Sequence, residues 1–119
     1  MNRILTKRVY EPAAKADGFR ILVDRLWPRG IKKEELAADA WVKDIAPSAA
    51  LRKWFDHDPV KWAGFRKRYK TEIKQSAALP VLLDYCKNHP VITLLYSASD
   101  EKHNQALVLQ ELLNSLQKK

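Results

Sequence analysis

Asp24, Arg25, Trp27, Pro28, Arg29 and Gly30 put one acid and two guanidinium groups on seven residues of stiff chain. A guanidinium offers a planar fork of donors that matches carboxylate or phosphate. Trp27 precedes a proline, which biases its backbone toward extended conformations. Pro28 fixes its own φ, and Gly30 admits φ > 0 without Cβ strain. Arg25 and Arg29 on such a loop make a preorganised anion clamp, with Trp27 as a pocket wall. The structural alternative is that Arg25 pairs with Asp24 or Asp44 while Arg29 sits in water. Asp24 lies in an apolar context that favours partial burial. Desolvation raises a carboxyl pKa and suits it to acid–base work, whereas a neighbouring arginine keeps it ionised.

A second constellation follows a late apolar run: Tyr96, Ser97, Ser99, Asp100, His103 and Asn104. His103 titrates near neutrality and can carry a proton, with Asp100 three residues earlier to orient it. The plainer reading is a surface histidine beside a helix-start aspartate. Asp100 and Glu101 in the first turn oppose a bound anion, and Ser99 is the expected cap. Anion binding therefore falls to the arginines. The candidate catalytic residues are Asp24 and His103. The candidate ligand contacts are Arg25, Trp27, Arg29, Tyr96 and Asn104, with Trp54 as a further wall.

The elements that must position these groups follow from spacing. Residues 4–10 suit a first strand, and Asp17-Gly18 is a turn signal. Phe19, Ile21 and Val23 alternate with Arg20 and Leu22, which predicts a strand over 19–26. A short helix is expected over 33–36 and a short strand over 40–45. Ser48 opens one helix, and Asp58-Pro59 opens another that runs to about residue 76. In it Trp62, Phe65, Tyr69 and Ile73 form one stripe. Leu79, Leu82, Leu83 and Cys86 mark a further helix. The run Val91-Ile92-Thr93-Leu94-Leu95-Tyr96 reads as a central strand covered on both faces. Ala106, Leu109, Leu112, Leu113 and Leu116 line a last helix.

This order predicts an α/β fold: one small domain over 1–119, with a mostly parallel short sheet flanked by helices. A right-handed crossover makes the strands at 19 and 91 parallel neighbours. Asp24-Arg25 and Tyr96-Ser97 then meet at one sheet edge, where open α/β sheets bind ligands.

Composition excludes several function classes. The chain has 119 residues, a formal charge of +8 and a single cysteine. No apolar run approaches the ~20 residues of a membrane span, and the first residues do not read as a secretory signal, so a cytoplasmic protein without membrane contact is expected. Cys86 falls on an apolar face and reads as core. One cysteine and three scattered histidines give no metal-ligand spacing, so no metal is expected. No nucleotide or cofactor fingerprint occurs, so no cofactor is expected. The favoured partner is a small anionic ligand, taken up by an enzyme or by a binding module. The alternative is a nucleic-acid-associated module. Residues 61–74 carry Lys61, Arg66, Lys67, Arg68, Lys70 and Lys74 against Glu72, which is +5 of the +8, and a basic helix face can track phosphates.

The segments Asp17 to Gly30, Ala46-Pro47-Ser48, Leu51-Arg52-Lys53-Trp54-Phe55 and His57-Asp58-Pro59 resemble the YeaO-like proteins. So do Thr93-Leu94-Leu95-Tyr96, Asp100 and His103-Asn104. The resemblance covers nearly the whole chain and implies a small bacterial domain of unknown function. It also implies a contrast with a longer branch of the family, which carries cysteines after the late strand and beside the helical histidine. The matching positions here are Tyr96 and Lys102, so neither thiol chemistry nor a cysteine-bound metal is implied.

Overall fold

The computed structural model describes residues 3–117. Its centre is a four-stranded, all-parallel sheet of β1 (Arg3–Arg8), β2 (Phe19–Leu22), β3 (Ala40–Trp41) and β4 (Val91–Tyr96), in the order β1-β4-β2-β3. The β-branched run at 91–96 takes a central place, and β2 lies beside it in parallel, as the sequence predicts. Period-two alternation divides the side chains between two faces.

Ile21, Val23, Ile92, Leu94 and Tyr96 face the main core. That core is closed by α2 (Ala49–Phe55), α3 (Trp62–Gln75), α4 (Ala78–Asn88) and α5 (Gln105–Gln117). Phe65, Tyr69 and Ile73 of α3, with Trp62 at its start, form the expected stripe. Cys86 is buried among apolar neighbours. The opposite face carries a smaller cluster of Val9, Leu22, Leu36 and Leu95, roofed by the one-turn helix α1 (Lys33–Leu36) and by Trp27 and Ile31.

Beside that small cluster lies a buried polar network that the apolar pattern does not reveal. Arg20 donates to Asp17 and to the carbonyls of Leu36 and Ala37, and Lys7 reaches the same carboxylate at 3.1 Å. Thr93 donates to the Asp17 carbonyl. Burial pushes the Asp17 carboxyl up, but the Ala14 N–H, Lys7 and Arg20 more than offset this and hold it below its ordinary value.

Several element ends differ from expectation, and β1 stops at Arg8 rather than residue 10. β2 stops at Leu22 rather than near 26. Val23 still donates to the Leu95 carbonyl, after which the chain leaves the sheet. Only Ala40–Trp41 is strand in the 40–45 segment, because residues 43–45 coil into a tight turn ahead of α2. The last helix starts at Gln105, so His103 and Asn104 precede it. Asn104, not Ser99, caps it by accepting the Leu107 N–H at 3.1 Å. The cap on α2 is as expected, whereas Asp58 caps a separate 3-10 turn over Pro59–Lys61 and α3 itself begins at Trp62. Ser48 accepts the Leu51 N–H, and Asp58 accepts the Val60 N–H with Pro59 next to it.

Candidate functional site

A cavity of about 560 Å³ opens at the C-terminal ends of β2 and β4, within the range of small-molecule sites. The segment leaving β2 contributes Asp24, Arg25 and Leu26, and the β4–α5 loop contributes Ser97, Ser99 and His103. Arg52, Phe55 and His57 come from α2 and the turn after it, Phe65 from α3, and Arg8 from the end of β1.

Asp24 sits where the two central strands part. Its carboxylate accepts the Ser97 N–H at 2.9 Å and a hydrogen bond from the Gln105 amide. Burial pushes this carboxyl above its ordinary value, against the hydrogen bonds from Ser97 and Gln105 and the charge of Arg52.

Arg25 pairs with neither Asp24 nor Asp44. Its Nη2 makes only long hydrogen bonds, to the Ala46 carbonyl at 3.3 Å and the Pro47 carbonyl at 3.4 Å. Its Nε is buried and has no hydrogen-bond partner among the described residues. Arg8 donates from Nε to the Ser97 and Ala98 carbonyls, which ties β1 to the β4–α5 loop. Arg52 is an exposed residue on α2 that reaches the same cavity.

His103 places Nδ1 2.9 Å from the Asp100 carboxylate and meets the Trp62 ring edge-on at 5.2 Å. The Lys102 N–H, His103 and its backbone draw the Asp100 carboxyl below its ordinary value. Those same contacts turn Asp100 into a local turn stabiliser ahead of α5, not a first-turn acid within it. Asn104 also donates to the Asp100 carbonyl at 3.0 Å. His57 adopts φ 54° directly after Asp56 at φ 47°, a left-handed pair that is uncommon for residues with side chains.

Of the residues singled out from sequence, Asp24, Arg25, His103 and Asn104 come together around this cavity. Four others face elsewhere. Arg29 is exposed and does not line it, and its carbonyl accepts from Tyr10. Trp27 turns to the opposite sheet face, donating to the Ile31 carbonyl at 2.8 Å and packing edge-on against Trp41. Tyr96 is buried in the main core beside Asn104, and burial raises its phenol pKa. Trp54 packs against Gly64 beneath the Arg68 guanidinium.

Arg8, Arg52, Phe55, His57, Phe65 and Gln105 were not expected from sequence as site residues. One signal for Arg8 was available. A parallel β1 beside β4 sets Arg8 level with Tyr96 and so at the same edge.

The basic face of residues 61–74 is largely engaged within the protein. Arg66 and Lys70 both pair with Glu111. Arg68 stacks on Trp54 with its guanidinium carbon 3.9 Å from the ring centre, and Lys61 donates to the Trp54 carbonyl at 2.9 Å. Lys67 and Lys74 remain exposed. No group of three or more metal-ligating side chains occurs among the described residues, and none of their helices is long and apolar enough to cross a membrane.

Comparison with known proteins gives a consistent result. The family model described as the inactive DUF488-N3 subclade matches residues 3–119. The chain is 53% identical over 114 residues to the uncharacterized protein YeaO of Escherichia coli K12, covering 95% of this chain and 98% of that one. It is 40% identical over 112 residues to the uncharacterized protein Rv3073c of Mycobacterium tuberculosis H37Rv, covering 94% of each. No solved structure matches the chain.

Proposed function

The chain belongs to the inactive DUF488-N3 subclade, and from that premise we propose that it binds a small anionic ligand at the C-terminal edge of its sheet. The observation that carries this reading is Arg25. A buried guanidinium N–H without an acceptor costs free energy; the Arg25 Nε is such a group and Arg25 lines the cavity, so a ligand that draws this side chain onto its own acceptor relieves that cost.

Arg8 and Arg52 add two more guanidinium groups to the same cavity. The clamp is therefore Arg25 with Arg52 and Arg8, not with Arg29. Among the described residues the one carboxylate lining the cavity, that of Asp24, already accepts two hydrogen bonds from the protein. Asp24, His103 and Asn104 supply further hydrogen-bonding groups, and His103 with Asp100 retains the geometry of an acid–base pair. The description of the subclade as inactive favours binding over turnover.

Thermal-shift measurement against phosphorylated and carboxylated small molecules tests the reading. Ligands that stabilise the wild type should lose their effect on Arg25→Ala and Arg52→Ala, since stabilisation follows [L]/Kd. If Arg25→Ala and Arg52→Ala are raised as much as wild type by every such ligand, the reading fails.

A further inference from the structure

We infer that the anion held at this site is carried on a flat aromatic body: an aryl carboxylate or aryl phosphate, not a bare inorganic ion. This inference rests on the anion-binding reading above and narrows it.

Size is the first argument. About 560 Å³ is many times the roughly 30 Å³ that one water takes in the liquid, and sites of this size hold ligands of drug-like dimensions. A phosphate or acetate ion would satisfy the arginines and leave most of the space to water.

The cavity walls also divide by chemistry. Arg25 and Arg52 stand for the charged side. On the other side Phe55 and Phe65, almost wholly buried and stacked on each other with ring centres 4.4 Å apart and planes 25° apart, back the exposed ring of His57. Such a surface favours a ring over an alkyl chain, because offset and edge-on ring contacts add to area burial.

His57 and Leu26 complete the argument at the rim. Asp56 takes left-handed backbone as the C-cap of α2, and His57 follows at φ 54° on the cavity wall. Its ring lies 6.4 Å from that of Phe55, inclined at 49°, which extends the aromatic side outward. Leu26 lines the cavity while 72% exposed. An inorganic ion leaves that leucine in water, whereas a ring held by the arginines covers it.

Calorimetric titration of the full chain tests this with six probes: inorganic phosphate, methyl phosphate, phenyl phosphate, acetate, benzoate and neutral benzyl alcohol. Phenyl phosphate or benzoate is expected to bind at least about tenfold more tightly than its non-aromatic counterpart. Whichever of the two aryl anions binds better identifies the head group. His57→Gly, which removes the ring and the backbone strain together, and Leu26→Ser, at an exposed position, should each shrink that ratio toward one. Equal affinity for aryl and inorganic anions overturns the inference and leaves the anion reading standing. Failure of all five anions to bind overturns both. Benzyl alcohol binding as tightly as the aryl anions, with Arg52→Ala without effect, also overturns both, because the ring alone would then account for binding.

Discussion

The carboxylate of Asp24, just beyond β2, accepts the backbone N–H of Ser97, just beyond β4, at 2.9 Å. One side chain thereby sets the spacing of the two strand ends that frame the cavity. The Gln105 amide on the same carboxylate adds the first residue of α5 to the junction.

Replacing Asp24 by alanine leaves the Ser97 N–H and the Gln105 amide without their acceptor. The expected cost is about 1–3 kcal/mol for each group that stays buried, read from urea unfolding. Asparagine keeps one acceptor oxygen and should cost less.

Asp24 also carries a pH signature. Burial raises its pKa above the ordinary 3.8, so the folded state binds this proton more tightly than the unfolded chain. Stability from this group is then present below pH 3.8 and is lost as pH rises through the raised value. Subtracting the unfolding free energy of Asp24→Asn from that of the wild type at each pH should give a difference that falls across this acidic window. A flat difference would refute the assignment.

Asp17 titrates with the opposite sign. Its carboxyl is held below 3.8 by the Ala14 N–H, Lys7 and Arg20, so its contribution is present above pH 3.8 and lost as pH falls through the lowered value. Asp17→Ala strands the Arg20 guanidinium, whose side chain is only 5% exposed. Removing one member of a buried pair typically costs about 3–5 kcal/mol. A loss under 1 kcal/mol in chemical denaturation would show that the Leu36 and Ala37 carbonyls suffice for Arg20.

Gly18 and Gly30 both have positive φ, at 65° and 72°, yet they should respond differently to alanine. A Cβ at Gly18 would stand 2.3 Å from the Val91 carbonyl oxygen, whereas one at Gly30 meets nothing within 4 Å. Gly30→Ala should cost about 1–2 kcal/mol from the left-handed backbone alone. Gly18→Ala must also displace the start of β4, so its melting temperature should fall clearly further.

Arg29→Ala separates the clamp expected from sequence, Arg25 with Arg29, from the proposed one, Arg25 with Arg52 and Arg8. Arg29 is exposed and off the cavity, so its removal should leave ligand-induced stabilisation intact while Arg25→Ala abolishes it. The reverse pattern would restore Arg29 to the site.

The parts legible in the sequence are those fixed by local pattern: the 91–96 strand, the α3 stripe, the Ser48 cap and the convergence of 24–25 with 96–97 at one edge. Where β2 ends was not legible, because apolar Val23 and Leu26 flank Asp24-Arg25 and extend the look of a strand past the end of its pairing with β4. The start of α5 was ambiguous because Ser99, Asp100 and Asn104 are all capping residue types, and only Asn104 reaches the right N–H. The 24–30 loop announces its stiffness through Trp-Pro and Gly. Stiffness does not encode direction, and Trp27 and Arg29 turn away from the pocket. Arg20 was read as one member of an alternation. Its charge is buried because Asp17 and two helix-end carbonyls surround it, a fact of tertiary structure alone.

The strand order has a consequence for how the chain is made. β1 pairs only with β4, which begins at Val91, and parallel pairs at such long sequence separation form slowly because a large loop must close first. Proteins emerge from the ribosome N-terminus first. Newly synthesised β1 therefore has no partner until about three-quarters of the chain has followed it out. Its Arg3, Lys7 and Arg8 are the kind of charged residues that keep a waiting edge from pairing with the wrong neighbour.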